Sequence, residues 1–154
     1  MNKKKVGRIL LLVLIIVTVL FIFSHSIVGK STSIHQSSTV RAFLQNIFNA
    51  MGIPWQLTTH VVRKLAHFAE FFVLGLELTW YHLCGHKLGR RDIGSIAITV
   101  FAVGFADETI QIFSARGPGI ADVWLDIAGG MTGMLFVFAL YYLVNVCRRK
   151  GGFR

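Results

Sequence analysis

The fold is decided by residues 60–83, which read HVVRKLAHFAEFFVLGLELTWYHL. The stretch is mostly apolar, and an α-helix needs about 20 residues to cross about 30 Å of hydrocarbon. It also carries Arg63, His67, Glu70 and Glu77, which fall on one stripe at about 100° per residue. Because an ionisable side chain at the bilayer centre costs about 2.5–3.5 kcal/mol, the stripe predicts a membrane helix whose polar face contacts other helices.

Three further apolar runs, at about 6–23, 93–113 and 120–146, have the length of membrane spans. The composition agrees, since 54% of the residues are hydrophobic and only 15% are charged, against about 25% in soluble domains. A net charge of +9 would suggest nucleic acid for a soluble protein, but here the basic residues cluster beside apolar runs, so we expect no nucleic-acid partner. Residues 1–154 are therefore predicted to form one all-α integral membrane domain, a four-transmembrane-helix bundle in contact with membrane lipids.

The basic clusters predict the orientation of the helices, because Lys and Arg are enriched in cytoplasmic loops. Of the 16 Lys and Arg residues, 11 lie at the N-terminus, between the second and third runs, or at the C-terminus: Lys3, Lys4, Lys5, Arg8, Lys87, Arg90, Arg91, Arg148, Arg149, Lys150 and Arg154. The opposite loops contain only Lys30, Arg41 and Arg116. Both termini are therefore predicted to be cytoplasmic.

The segment between the first and second spans is predicted to lie outside. Its first part is rich in Ser and Thr and indicates a loop, after which apolar residues recur at helical spacing from Val40 to Met51. This pattern predicts a short amphipathic helix in the outer interface, ended by Gly52 and Pro54. A helix packed on the bundle is the alternative reading of the same pattern.

Polar residues on three predicted helices lie at the same depth once the orientation is applied. Asp107 and Gln111 share a face of the third span, and Asp122 and Asp126 share a face of the fourth, which continues through the small residues Gly129 and Gly133. The outer halves of the helices should therefore enclose an outward-facing polar pocket. Its predicted residues are Arg63, Lys64, His67, Glu70, Asp107, Glu108, Gln111, Arg116, Asp122 and Asp126.

The charges of this pocket do not balance. The five acids named above and the deeper Glu77 make six, against three fixed bases, Arg63, Lys64 and Arg116. Some acids are therefore protonated, His67 is charged, or a cation binds. One interpretation is a structural ion-pair network that ties three helices together, and the other is a ligand-binding or catalytic pocket.

The chemistry of such a pocket stays open at this stage. A metal bound through His67 and Glu70, and His67 acting as a general base, are alternatives. No nucleophile is evident, because Ser24, Ser26 and Ser114 belong to no clear triad. The sequence therefore predicts no particular reaction, metal ligand set or cofactor.

These residues also carry a resemblance to a known family. The chain contains, in order, Arg63-Lys64-x-Ala66-His67-Phe68-x-Glu70-Phe71, Asp107-Glu108-x-x-Gln111-x-Phe113, Arg116-Gly117 and Asp122-Val123-x-x-Asp126-x-x-Gly129. With these motifs, and more weakly with Ser24-x-Ser26, it resembles the VanZ-like family over about residues 20–135. Two positions depart from the family pattern, since Ile110 stands where His is common and Asp126 where Asn is usual.

The name-giving member of that family lowers susceptibility to teicoplanin more than to vancomycin. The resemblance therefore implies a multi-pass protein of the bacterial cytoplasmic membrane with a role in the cell envelope. Its pocket would bind a polar headgroup, a lipid-linked cell-wall precursor or the glycopeptide itself. The alternatives are an intramembrane enzyme acting on a lipid-linked cell-wall precursor and a small transporter. The face of Gly129 and Gly133 suits packing within the chain or within an oligomer.

Overall fold

The computed structural model describes residues 3–27, 30–114 and 119–151. These residues form five α-helices and the turns between them, which confirms the all-α prediction. The helices are α1 (Lys3–Ile27), α2 (Lys30–Ala50), α3 (Thr59–Gly85), α4 (Arg90–Phe113) and α5 (Ile120–Gly151).

Three of the described helices are long and apolar enough to cross a membrane. They are the segments Lys5–Ile27, Arg90–Phe113 and Ala121–Cys147, which match three of the predicted spans. The predicted span at 60–83 forms α3, which has 27 residues, but its charged and polar side chains lower its hydropathy. Length and composition alone therefore do not identify α3 as a span, and the count of four spans stays a prediction.

Helix α3 lies at the centre of the bundle. It packs against α1, α2, α4 and, most extensively, α5. The residues of the hydrophobic core that are completely buried are Ile22, Phe71, Leu74, Ile96 and Val100. Many apolar side chains on the other faces of the helices are exposed, as expected for a surface that contacts lipid tails.

Glycines bring α3 and α5 into unusually close contact. Cβ atoms at Gly129 and Gly133 would overlap the carbonyl oxygens of Phe68 and Phe72, and one at Gly75 would overlap the backbone of Gly130. Residues without a side chain allow two membrane helices to approach to backbone contact. The prediction that Gly129 and Gly133 mediate close packing is thus confirmed, and their partner is α3 of the same chain.

The Ser- and Thr-rich segment after the first apolar run is helical, so the predicted loop is wrong there. Helix α1 continues to Ile27 and α2 begins at Lys30. The hydroxyl of Ser24 donates to the carbonyl of Phe21 at 2.8 Å, and such a bond satisfies a serine within a helix without ending it. The helix predicted over Val40–Met51 is therefore the second half of a longer helix that packs on α3. Its location in the outer interface stays a prediction.

The end of α2 is fixed by its backbone and by one side chain. Gly52 has a φ of 70°, its N–H donates to the carbonyl of Asn49, and the N–H of Ile53 donates to that of Phe48. This is the Schellman arrangement, in which glycine takes the left-handed position. The Gln45 amide then accepts from the N–H of Leu57 at 2.8 Å and donates to the Trp55 carbonyl at 2.9 Å, which holds the loop to α2.

The turn between α3 and α4 is organised by Asp92. One carboxylate oxygen accepts from the N–H of Gly89 at 2.8 Å, at the start of α4. The other lies 2.9 Å from Nδ1 of His82 and 2.8 Å from Nε2 of His86. These two histidines thus have a structural role in closing the turn.

Candidate functional site

The polar residues of α3, α4 and α5 meet where α1 and α4 end and α3 and α5 begin. Three of them form what we call the inner cluster: His67 on α3, Asp107 on α4 and Asp126 on α5. The Nδ1 atom of His67 lies 3.7 Å from an Asp107 oxygen and 4.0 Å from an Asp126 oxygen. Both aspartates are completely buried, and the His67 side chain is only 12% exposed.

One amide orients the acids of α4. The Nε2 group of Gln111 donates to Asp107 at 2.9 Å and makes longer contacts of 3.4 Å with Glu108 and with the hydroxyl of Ser26. Asp107, Gln111 and Glu108 lie within one turn of α4, so their contacts follow from helical spacing. Ser26 comes from the last turn of α1 and is completely buried.

The inner cluster contains more acceptors than donors. Both carboxylate oxygens of Asp126 and one of Asp107 have no hydrogen-bond partner among the described residues. An unpaired buried carboxylate is strongly unfavourable, so such groups need a counterion, a donor or a proton. The sequence provides space for Asp126, because a Cβ atom at Gly104 would stand 3.3 Å from its side chain.

A second set of residues forms what we call the rim: Arg63, Lys64, Glu108 and Asp122. The Nζ atom of Lys64 lies 2.8 Å from an Asp122 oxygen, with the side chains 34% and 22% exposed. Glu108 accepts from the N–H of Gly119 at 2.9 Å, and Arg63 is partly exposed at the start of α3. The rim therefore carries cations that are partly accessible, whereas the acids of the inner cluster are buried.

The two glutamates of α3 are directed towards α1. Glu70 lies 2.9 Å from Nδ1 of His25, and Glu77 accepts from the hydroxyl of Thr18 at 3.0 Å. Glu70 is thus not paired with His67, although the two share one face of the helix. The partner of Glu70 is therefore determined by the packing of α1 against α3, and not by the spacing of residues within α3.

The structure brings most of the predicted site residues together. His67, Asp107, Gln111 and Asp126 form or support the inner cluster, and Arg63, Lys64, Glu108 and Asp122 form the rim. Glu70 joins α3 to α1, and Arg116 lies outside the described residues. The sequence interpretation missed His25 and assigned no role to Ser26; the only signal for them was the weak Ser24-x-Ser26 motif, read there as part of a loop.

Comparisons with known proteins agree with these motifs. A family model described as VanZ/LLP1 matches residues 9–144, a range that includes the inner cluster and the rim. The "Uncharacterized membrane protein YwnJ" of Bacillus subtilis (strain 168) is 30% identical over 120 residues, which cover 76% of this chain and 77% of the relative. No solved structure matches. The chain therefore belongs to the VanZ-like family of membrane proteins.

Proposed function

We propose that this protein acts in the bacterial cell envelope by binding an anionic group at the rim, and that it thereby lowers susceptibility to teicoplanin. One observation carries the proposal: Lys64, held by Asp122 at 2.8 Å, remains 34% exposed, and it follows the partly exposed Arg63 in the chain. Ammonium and guanidinium groups are the usual protein partners of phosphate and carboxylate. The ligand classes that fit are a lipid headgroup, a lipid-linked cell-wall precursor and the glycopeptide.

The proposal includes a topology with four spans, in which α3 also crosses the membrane and the rim faces outward. Support comes from the packing of α3 against all three apolar spans. Its partly buried polar stripe also contacts them, through Glu70 and Glu77 to α1 and through His67 to α4 and α5. The concentration of 11 of the 16 basic residues at the opposite end also supports it. Both termini are then in the cytoplasm.

The distribution of charged side chains suggests that an anion would bind at the rim and not at the inner cluster. An incoming phosphate or carboxylate would compete with Asp122 for Lys64 and would be attracted by Arg63. The acids of the inner cluster lie deeper and would repel it, so the ligand would stay at the rim. Because Lys64 is partly solvated, the attraction would weaken as salt is added.

The test compares drug susceptibility in a glycopeptide-susceptible host. The strains express the wild type, Lys64→Gln, and the control Arg41→Gln, which removes a partly buried cation of α2 outside the rim. Immunoblots of membranes establish equal protein levels. We expect the wild type and Arg41→Gln to raise the inhibitory concentration of teicoplanin more than that of vancomycin, and Lys64→Gln to abolish the rise. No rise with inserted wild type, or an equal rise with Lys64→Gln, contradicts the proposal.

A further inference from the structure

We infer that His67, Asp107 and Asp126 form a binding site for one divalent transition-metal ion, held between α3, α4 and α5. Each residue offers one ligand atom, and the three atoms lie within 4.8 Å of one another. The residues come from three different helices, so an ion bound here would join them. The inference concerns the inner cluster and does not depend on the function proposed for the rim.

The distances within the cluster suit an intervening ion better than direct hydrogen bonds. His67 Nδ1 stands 3.7 Å from Asp107 and 4.0 Å from Asp126, and both separations exceed the usual hydrogen-bond range of about 2.7–3.2 Å. An ion about 2.0–2.2 Å from each ligand holds two of them about 3.0–4.4 Å apart, depending on the angle at the metal. The two separations from His67 lie within this range, and all three ligand atoms lie within 4.8 Å of one another, so small shifts of the side chains would complete a metal-ligand geometry.

The unpaired oxygens are a second and independent indication. Asp126 is 0% exposed, and neither of its carboxylate oxygens has a hydrogen-bond partner among the described residues. Asp107, also 0% exposed, has one such oxygen, Oδ1; its Oδ2, which is the oxygen 3.7 Å from His67, accepts from Gln111. A single shared proton would neutralise only one of the two carboxylates. A divalent cation would neutralise both carboxylates and would give the unpaired oxygens of Asp126 a partner.

The donor set indicates the class of metal. One imidazole nitrogen with two carboxylates favours ions such as Zn²⁺, Mn²⁺ or Fe²⁺, whereas Mg²⁺ and Ca²⁺ favour oxygen ligands alone. Gln111 would act in the outer shell, because its hydrogen bond to Asp107 at 2.9 Å orients that carboxylate. The hydroxyl of Ser26 lies 3.4 Å from the Gln111 amide, so α1 also contributes a residue to the outer shell of the site.

His82, His86 and Asp92 also meet the distance requirement for a metal site. There, however, both histidines already lie within 2.9 Å of one Asp92 oxygen, and the other oxygen caps α4. Hydrogen bonding explains this second group completely. It therefore provides the matched control for the inner cluster.

The experiment measures metal bound to the purified full-length protein in detergent micelles. The wild type, Asp126→Asn and Asp92→Asn are each saturated with Mn²⁺ or Zn²⁺, freed of unbound ion by gel filtration, and analysed by inductively coupled plasma mass spectrometry. We expect about one ion per chain in the wild type and in Asp92→Asn. Asp126→Asn, which preserves shape but removes a ligand charge, should retain at most about a tenth as much metal as the wild type. If Asp126→Asn is not monodisperse, His67→Gln takes its place.

Three results would overturn the inference. The wild type could retain neither ion, in which case the acids of the inner cluster are neutralised by protons. The Asp126→Asn and His67→Gln variants could bind as tightly as the wild type. Binding could also disappear in Asp92→Asn alone, which would locate the ion at the turn between α3 and α4. Since no drug is present, the outcome is independent of the susceptibility test of the rim.

Discussion

Replacing Gly129 by alanine should force α5 away from α3. A Cβ atom at this position would lie 2.5 Å from the carbonyl oxygen of Phe68, and 3.3 Å from the Cα and carbonyl carbon of the same residue. Ordinary contact begins near 3.4 Å, and the obstacle is backbone that cannot rotate away. The two helices must therefore separate locally by about 1 Å.

The expected cost of Gly129→Ala is about 1–3 kcal/mol, the usual range for overpacking. For a chain of this size each kcal/mol lowers the melting temperature by about 2–4 °C, so we expect a fall of about 2–12 °C. The same separation would widen the inner cluster, because Asp126 lies one turn before Gly129 and His67 directly precedes Phe68. The assay is thermal unfolding in detergent, followed by intrinsic fluorescence.

The matched control is Gly94→Ala on α4. A Cβ atom there would meet nothing within 4 Å, and alanine is favoured over glycine in a helix by about 0.5–1 kcal/mol. Gly94→Ala should therefore leave the melting temperature unchanged or raise it slightly. If Gly129→Ala is as stable as Gly94→Ala, the close approach of α3 and α5 is wrong.

Three further predictions concern other contacts. Gln111→Leu removes the only described side-chain amide donor to Asp107 and should lower the free energy of unfolding by about 1–3 kcal/mol; an unchanged denaturation midpoint would contradict this. Asp92→Ala removes the cap of α4 at Gly89 and should destabilise by about 0.5–2 kcal/mol, measured in the same assay, whereas an equal midpoint would assign the capping to other groups. Both termini are predicted to be cytoplasmic. A fluorescent protein fused to the C-terminus should therefore fluoresce, and alkaline phosphatase fused at the same position should be inactive. The opposite pattern would favour three spans.

The helical repeat explains why much of the site could be predicted from the sequence. His67 on α3, Asp107 and Gln111 on α4, and Asp126 on α5 were assigned to common faces by spacing alone. Charged groups in an apolar helix must face other protein groups, which brings those faces together. In the structure all four residues form or support the inner cluster, and the functional role of that cluster stays a prediction.

The contacts of individual side chains could not be predicted in the same way. Lys64 lies beside the predicted stripe, yet its long flexible stem reaches Asp122. Glu70 shares a face with His67, but the proximity of α1 gives it His25 as a partner. The role of α1 was missed because the Ser- and Thr-rich end of the helix resembles a loop by composition, and only tertiary packing keeps it helical.

The order of synthesis affects how the contacts of α3 form in the cell. A ribosome completes α3 before α4 and α5, yet Asp122, Asp126 and the glycines that contact α3 all belong to the last helix. Until α5 emerges, Lys64 lacks Asp122 and His67 lacks Asp126, whereas Glu70 and Glu77 already have their partners on α1, so the nascent chain passes through a stage in which part of the polar face of α3 is unpaired. Chains truncated ahead of α5 should therefore be degraded in the cell, because the contacts of α3 are completed only by α5.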